Sequence, residues 1–129
     1  MTQASTILVV DDDPQVRATI VRALHELGYR TREAADGEAA LAALRAAQPP
    51  SLVILDYVMP GMDGAEVARE IAALAPDLPV IFSTGHAALR ALRAAAGEDA
   101  AVLEKPFTLD ELDELLRERL MERRRARSA

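Results

Sequence analysis

Short runs of apolar, largely β-branched residues alternate five times with segments of helical periodicity, and few folds accommodate such an alternation. Four of the runs are apolar throughout, as strands buried on both faces of a sheet are. The run at 29–34 is more polar, which suits a sheet edge. Parallel strands need a crossover, usually a helix, between them. We therefore predict an α/β fold, a doubly wound five-stranded parallel sheet with right-handed crossovers. The predicted strands are 6–10, 29–34, 52–55, 80–82 and 102–103.

Capping residues and helix breakers mark the ends of the predicted helices. Asp13 followed by Pro14 is typical of a helix start, Asp63 is a candidate cap of the third helix, and Gly28 is typical of a helix end. Thr108 and Glu111 form the pattern of a capping box ahead of the last helix. Apolar residues at three- and four-residue spacing predict the buried faces of the first and last helices. These residues are Val16, Ile20, Leu24 and Leu27, and Leu109, Leu112, Leu116 and Leu120.

Length and composition restrict the classes of function. The 129 residues suffice for one domain with its own core, and there is no cysteine to form a disulfide. A net charge of −6 and the absence of Trp argue against general nucleic-acid binding. No apolar run is long enough to span a bilayer, and the N-terminus lacks the features of a signal peptide. We therefore expect a cytoplasmic protein with no membrane span and no direct nucleic-acid contact.

Residues able to do chemistry follow four of the five predicted strands. Acidic residues 11–13 follow the first, Asp56 the third, Ser83 and Thr84 the fourth, and Lys105 the fifth. Lys105 is the only lysine beside fourteen arginines, and a lysine is a compact point charge where an arginine is a planar fork. The carboxyl ends of parallel strands meet at one edge of a sheet, where open α/β folds bind their ligands. We therefore predict a site of carboxylates, a hydroxyl and an ammonium at that edge.

Carboxylates from two strands in one pocket need a proton or a cation between them. Two like charges about 4 Å apart repel by roughly 4 kcal/mol at an effective dielectric near 20. Hard oxygen ligands, without His or Cys in the same loops, favour Mg²⁺, or Mn²⁺, over zinc. Asp56 is the only acidic residue between Glu38 and Asp63, and it is a candidate nucleophile for an aspartyl-phosphate. A cation and Lys105 would supply the charge neutralisation that phosphoryl transfer needs.

Four motifs, in order, resemble the receiver domain of two-component response regulators. They are VVDDDP at 9–14, LDYVMPGMDG at 55–64, STG at 83–85 and KPF at 105–107. The aspartate with its turn and the KPF motif are the specific ones, and the resemblance extends over residues 5–120. It implies a flavodoxin-like (βα)5 fold with strand order 2-1-3-4-5. It also implies a receiver domain over 5–121, followed by a basic tail over 122–129.

The resemblance further implies a role for each residue of the predicted site. Asp56 would be the phosphoacceptor, Thr84 the switch hydroxyl that turns toward the phosphoryl group, and Lys105 the contact to a phosphoryl oxygen. The Lys105–Pro106 peptide bond would be cis. The implied Mg²⁺ ligands are Asp11, Asp12, Asp56 and the backbone carbonyl of Val58, with Asp12 the more direct of the acidic pair.

We accordingly expect a single-domain response regulator that acts as a switch and is not an enzyme beyond its own phosphorylation and dephosphorylation. A sensor histidine kinase or a histidine phosphotransfer protein would supply the phosphoryl group to Asp56 in a Mg²⁺-dependent reaction. The new charge would bias a surface around the fourth helix, fifth strand and fifth helix, and output would come from binding a separate downstream protein.

Two other classes of function remain open. A receiver-like binding module would keep the fold without being phosphorylated, and failure to bind Mg²⁺ would favour it. A Mg²⁺-dependent phosphohydrolase of the haloacid dehalogenase kind also uses an aspartyl nucleophile, and residues 11–13 contain its Asp-x-Asp pattern. Such an enzyme needs further acidic ligands after its lysine, whereas residues 109–120 follow the pattern of an amphipathic helix.

Some features depart from the family pattern or have two readings. Val102 stands three residues before Lys105, where members usually carry Tyr or Phe, so an aromatic swing cannot occur there. The fourth predicted helix, 87–96, is nearly all Ala, Leu and Arg, which puts the usual dimer contacts in doubt. His86 either tunes hydrolysis beside the site or is a solvated loop histidine. The arginines of the tail either complement the dipole at the end of a frayed helix or contact a partner, a membrane or nucleic acid.

Overall fold

The computed structural model describes residues 5–46 and 48–128, in which five parallel strands form one sheet in the order β2-β1-β3-β4-β5. The strands are β1 Thr6–Val10, β2 Arg30–Ala34, β3 Leu52–Asp56, β4 Val80–Gly85 and β5 Ala101–Lys105. The helices are α1 Pro14–Glu26, α2 Gly37–Ala46, α3 Gly64–Leu74, α4 Leu89–Ala96 and α5 Leu109–Ser128, with a 3-10 turn at His86–Ala88 before α4. The predicted doubly wound, flavodoxin-like fold and its strand order are confirmed.

Strand side chains alternate between two hydrophobic layers, one on each face of the sheet. In β1, Ile7 and Val9 belong to the layer that α1 and α5 cover, whereas Leu8 and Val10 belong to the layer covered by α2, α3 and α4. The central strand β3 is buried along its whole length, and the edge strand β2 only in part. A one-residue slip would move every side chain to the wrong layer. The two layers therefore fix the register, and with it the relative height of the strand ends.

The predicted helix caps form. The Asp13 side chain accepts hydrogen bonds from two N–H groups of the first turn of α1. The Asp63 side chain caps α3, and Thr108 and Glu111 exchange hydrogen bonds of 3.1 and 2.9 Å as a capping box before α5. Gly28 follows α1 with a φ of 91°, a left-handed conformation that favours glycine. Each cap satisfies N–H or C=O groups that the helix itself cannot pair.

Three strands are longer than predicted, and the difference concerns the site. β3 includes Asp56. β4 continues through Ser83 and Thr84 to Gly85, and β5 continues to Lys105. The last register pairs between them are Thr84 with Glu104 and Gly85 with Lys105. Backbone pairing needs no apolar side chain, so the ladder runs past the point where the apolar runs stop. The hydroxyls and the lysine are consequently held by a sheet rather than by loops.

Helix α5 is also longer than the predicted 109–120, because it continues through most of the basic tail to Ser128. Arg123 of this extension donates a 3.0 Å hydrogen bond to the Ser51 carbonyl, which attaches the extension to the start of β3. Residues 1–4 and 129, the ends of the predicted N-terminal stretch and tail, lie outside the described residues, and the division at 121 remains a prediction. None of the helices within the described ranges combines the length and apolar character that a membrane crossing requires.

Candidate functional site

The site lies where β1 and β3 end side by side, at the point where the strand order reverses. Asp11 and Asp12 follow β1, and Asp56 is the last residue of β3. The chain leaves these adjacent parallel strands toward opposite faces of the sheet, since the two hydrophobic layers are covered by different helices. Such a reversal opens a crevice at the carboxyl ends of the strands. The topology therefore brings the predicted carboxylates together, as the sequence indicated.

Three carboxylates and one ammonium form the centre of the site. One oxygen each of Asp11, Asp12 and Asp56 lies within 4.8 Å of the others. The Lys105 Nζ lies 3.3 Å from Asp11 Oδ2 and 3.5 Å from Asp56 Oδ1. Asp11 and Asp56 are buried, whereas Asp12 is exposed. One ammonium balances one of three carboxylates, so two negative charges remain when all three are ionised.

Asp56 is the carboxylate whose protonation the fold perturbs. Burial is the main cause that raises its pKa, from 3.8 to about 6. Lys105 lowers the pKa, Asp11 raises it, a backbone hydrogen bond from Val58 lowers it, and Asp12 raises it. Perturbation of this kind, by burial together with specific charges in a crevice, is typical of functional carboxyl groups. Asp56 therefore has the environment expected of the reactive group.

Asp11 is fixed at its backbone and at both carboxylate oxygens. Its N–H donates to the Ala34 carbonyl at 3.2 Å, and its Oδ1 accepts from the Asp13 N–H at 2.9 Å. Its Oδ2 faces Lys105, and its backbone carbonyl accepts from Arg17 Nη1 at 2.7 Å. Arg17 was missed by the sequence reasoning, because its six-residue distance from Asp11 in α1 gives no motif. Asp11 is consequently the most constrained carboxylate of the three.

Two buried hydroxyls lie near the end of β4, next to this cluster. Ser83 and Thr84 are buried, and among the described residues neither hydroxyl oxygen has a hydrogen-bond partner. Ser83 is the register partner of Asp56, and its carbonyl accepts from the Tyr57 N–H at 3.1 Å. A buried hydroxyl without a partner loses its hydration at a cost of about 1–3 kcal/mol. Such a group is available to a ligand that arrives at the site.

The residues present fit a hard divalent cation. The side-chain donors are carboxylate oxygens, of which Mg²⁺ typically takes one or two while it keeps several waters. The exposed position of Asp12 gives solvent access, and the two unbalanced negative charges match a divalent ion. Burial is the main cause of the raised Asp56 pKa, and the negative charges of Asp11 and Asp12 raise it further. The role of the Val58 carbonyl as a ligand remains a prediction.

Other predicted residues lie where the sequence indicated, without joining the cluster. Asp13 serves as the cap of α1 and Asp63 as the cap of α3. The Lys105–Pro106 bond is cis. His86 Nδ1 lies 3.4 Å from Glu104 Oε1, and its side chain is 87% exposed. Val102 is partly buried against the layer beneath α2, α3 and α4.

Comparison with known proteins finds relatives that align with most of the chain. The profile of the response regulator receiver domain matches residues 7–117. The chain is 43% identical over 108 residues to the response regulator receiver protein CpdR of Brucella abortus strain 2308, an alignment that covers 82% of this chain and 88% of CpdR. It is 42% identical over 109 residues to response regulator MprA of Mycolicibacterium vanbaalenii, with 82% of this chain and 46% of MprA aligned. The chain thus spans about half the length of that relative.

Solved structures with the same fold include receiver domains from bacteria and archaea. The receiver domain of NtrX from Brucella abortus is 36% identical with a TM-score of 0.82, over 89% of this chain and 98% of that one. A CheY-like response regulator receiver domain protein from Methanospirillum hungatei JF-1 is 29% identical with a TM-score of 0.84, over 96% and 99%. The family profile covers most of the chain and CpdR is 43% identical to it, so the chain belongs to the response regulator receiver domain family.

Proposed function

We propose that this receiver domain is a phosphorylation-dependent switch that accepts a phosphoryl group on Asp56 in a Mg²⁺-dependent reaction. A sensor histidine kinase or a histidine phosphotransfer protein would be the donor. The observation that supports this best is the position of Asp56, a buried carboxylate with a raised pKa that faces Lys105 and lies beside Asp11 and Asp12. Few structural needs explain three carboxylates gathered at one sheet edge, whereas phosphoryl transfer explains all three.

The residues of the site divide the chemistry among them. An Asp56 oxygen forms the new bond to phosphorus, and the bond from phosphorus to the donor's imidazole nitrogen breaks, with its electron pair going to that nitrogen. Lys105 is placed to pair with a phosphoryl oxygen, because its Nζ already lies 3.5 Å from Asp56 Oδ1. The unpartnered Thr84 hydroxyl is the donor for another oxygen once it turns toward the group.

Asp11, Asp12, Asp56 and the Val58 carbonyl would hold the Mg²⁺. The ion would supply positive charge beside the phosphoryl oxygens and so reduce their repulsion with the carboxylates. Asp11 would offer a ligand oxygen in a fixed position, because hydrogen bonds hold its backbone and both carboxylate oxygens. Asp12 is exposed, so the ion would enter the site from solvent beside this residue. Mn²⁺ satisfies the same donor set.

The output we propose is protein binding. A dianionic group at Asp56 would draw Thr84 and Lys105 toward it, and both residues belong to strands that lead into α4 and α5. A separate downstream protein would then recognise the changed surface around α4, β5 and α5. We further propose that the chain acts as a stand-alone, cytoplasmic regulator and turns over no substrate other than its own phosphoaspartate, without direct contact to nucleic acid.

Intact mass after incubation with a small acyl-phosphate donor tests this function. The wild-type protein with Mg²⁺ is expected to gain the mass of one phosphoryl group, while a metal-free sample gains none. The Asp56→Asn variant is the matched control and is expected to gain none with Mg²⁺. Absence of a gain in wild-type protein that is folded and binds Mg²⁺ would favour a binding module that is not phosphorylated. Release of phosphate from a phosphate ester with many turnovers would favour a phosphohydrolase.

Replacement of Lys105 tests the charge that the site places against the phosphoryl group. Lys105→Met is expected to slow phosphoryl uptake about tenfold to hundredfold, because one positioned charge on the transferring group is lost. The measurement is the rate of mass gain at saturating Mg²⁺ and fixed donor concentration. Lys105→Arg keeps the charge on a planar fork that differs from an ammonium, so an intermediate rate is expected. A wild-type rate in the Met variant would contradict the assigned role.

A further inference from the structure

Arg17, which lies outside every motif of the sequence, connects the edge strand to the acidic loop. Its Nη1 donates to the Asp11 carbonyl at 2.7 Å, and its Nε donates to Glu33 Oε1 at 3.0 Å. The Arg17 side chain is 19% exposed, against 49% for Glu33. Hydrogen bonds from a charged donor at such distances are roughly twice as strong as neutral ones. The guanidinium therefore spans from β2 to the loop that follows β1.

The hydrogen bond from Arg17 to the Asp11 carbonyl also restrains the backbone of Asp12. The Asp11 C=O and the Asp12 N–H belong to one planar peptide unit, so the orientation of the carbonyl determines that of the unit. The Asp12 side chain is exposed, and no hydrogen bond described in residues 5–46 and 48–128 involves it. Its carboxylate nevertheless lies within 4.8 Å of those of Asp11 and Asp56. The peptide plane to which Arg17 is bonded is thus one constraint on the position of this carboxylate.

We propose that Arg17 is a positioning residue for the divalent-cation site, and that Glu33 acts on the site only through Arg17. The inference rests on the proposed function for the presence of Mg²⁺. Groups that orient metal ligands without touching the metal change affinity about tenfold to hundredfold when they are replaced. Arg17 has this relation to Asp11 and Asp12, because it hydrogen-bonds to the backbone between them and not to either carboxylate.

An explanation by charge alone makes the opposite prediction. Arg17 carries a positive charge beside the acidic loop, so its removal would strengthen the attraction of the site for a cation. Loss of positioning weakens that attraction instead, because Asp12 is no longer held near Asp11 and Asp56. The Arg17→Lys variant also distinguishes the two explanations. Lysine keeps the positive charge, so the charge explanation expects no change in Mg²⁺ affinity. It lacks the planar guanidinium that reaches two acceptors at once, so loss of positioning weakens the affinity.

Isothermal titration of Mg²⁺ into metal-free, unphosphorylated protein tests the proposal. Arg17→Gln and Arg17→Lys are each expected to bind Mg²⁺ about tenfold more weakly than wild type. Arg22→Gln is the matched control, because Arg22 is an exposed arginine of the same helix; its affinity is expected to equal that of wild type. Thermal unfolding of each variant without metal establishes that the protein is folded, and Arg17→Lys, the milder change, supplies the comparison where Arg17→Gln unfolds.

Glu33→Gln completes the experiment. Alone it is expected to weaken Mg²⁺ binding less than Arg17→Gln does, because the guanidinium keeps its bond to the Asp11 carbonyl. In the double variant it is expected to add nothing to the effect of Arg17→Gln. A charge effect would persist in the double variant, since Glu33 would then act on the cation directly.

The outcomes separate this inference from the proposed function. Tighter Mg²⁺ binding by Arg17→Gln, or wild-type affinity in Arg17→Lys, would overturn the positioning role while the metal site stands. An additive effect of Glu33→Gln would overturn the claim that Glu33 acts through Arg17. Absence of Mg²⁺ binding by the wild-type protein would overturn the metal site of the proposed function, and this inference with it.

Discussion

The Asp56→Asn variant is expected to be more stable than wild type in metal-free buffer at about pH 7.5, although it lacks the phosphoacceptor. Burial, together with Asp11 and Asp12, raises the Asp56 pKa to about 6 despite the opposing effect of Lys105. A shift of about two pKa units corresponds to about 3 kcal/mol between the charged and neutral forms. Asparagine keeps the shape without the charge but gives up the ion pair with Lys105. We therefore expect a gain of about 1–3 kcal/mol, or roughly 3–10 °C in Tm.

The sign of the pH dependence follows from the direction of the shift. The folded protein holds the Asp56 proton more tightly than the unfolded chain does, because the pKa is raised from 3.8 to about 6. This contribution to stability is fully present below about pH 4 and is lost as the pH rises through about 6. The stability difference between variant and wild type should therefore be small near pH 4 and reach its full size above about pH 7.

Thermal unfolding from about pH 4 to pH 8 measures this difference in wild type and variant. Added Mg²⁺ is expected to reverse the order, because an ion that binds only the folded wild-type site stabilises that protein in proportion to its occupancy. A variant that is less stable than wild type at neutral pH without metal would contradict the view that uncompensated charge is stored at Asp56. Wild type and Asp56→Asn are also the two proteins compared in the phosphoryl-uptake experiment, so stability and function are measured on the same pair.

The cluster of Asp11, Asp12, Asp56 and Lys105 was predictable because it depends on strand ends alone. Each residue follows an apolar run, and parallel strands with helical crossovers leave little choice about where their carboxyl ends meet. The strand order, by contrast, was taken from the family resemblance, since the alternation of strands and helices does not determine it. The residues that form the site could be predicted from the sequence without the family resemblance.

The contacts of Arg17 were not predictable, and the reason is geometric. A long side chain reaches its partners according to how its helix lies on the sheet, and no local pattern records that angle. The extensions of β4 and α5 were missed for a related reason. Backbone pairing continued past the last apolar residue of β4, and helix α5 continued past its last core leucine, with Arg123 attached to the Ser51 carbonyl. Apolar periodicity reports burial, and both extensions are maintained by hydrogen bonds.

Gly64→Ala is expected to destabilise the fold at the turn that follows Asp56. A Cβ at this position would lie 2.7 Å from the Tyr57 Cα and 2.8 Å from the Asp56 carbonyl oxygen, and both are backbone atoms that cannot rotate away. The shift would also disturb the 2.8 Å hydrogen bond from the Gly64 N–H to the Tyr57 carbonyl. Overpacking costs about 1–3 kcal/mol, occasionally more, whereas alanine recovers only about 0.4–1 kcal/mol of chain entropy. We expect a net loss of about 1–3 kcal/mol.

Gly85→Ala is the matched control for Gly64→Ala, because no atom lies within 4 Å of a Cβ at Gly85 and its φ of −80° suits any residue. Its stability is expected to lie within about 0.5 kcal/mol of wild type, as for other substitutions without close contacts. Urea unfolding of the three proteins measures both changes on one scale. Because the collision at Gly64 is with the backbone of Asp56 itself, the Gly64 variant should also take up phosphoryl groups more slowly while still folded. Equal stability of the two glycine variants would show that the turn yields without cost, and that Gly64 does not hold Asp56 in place.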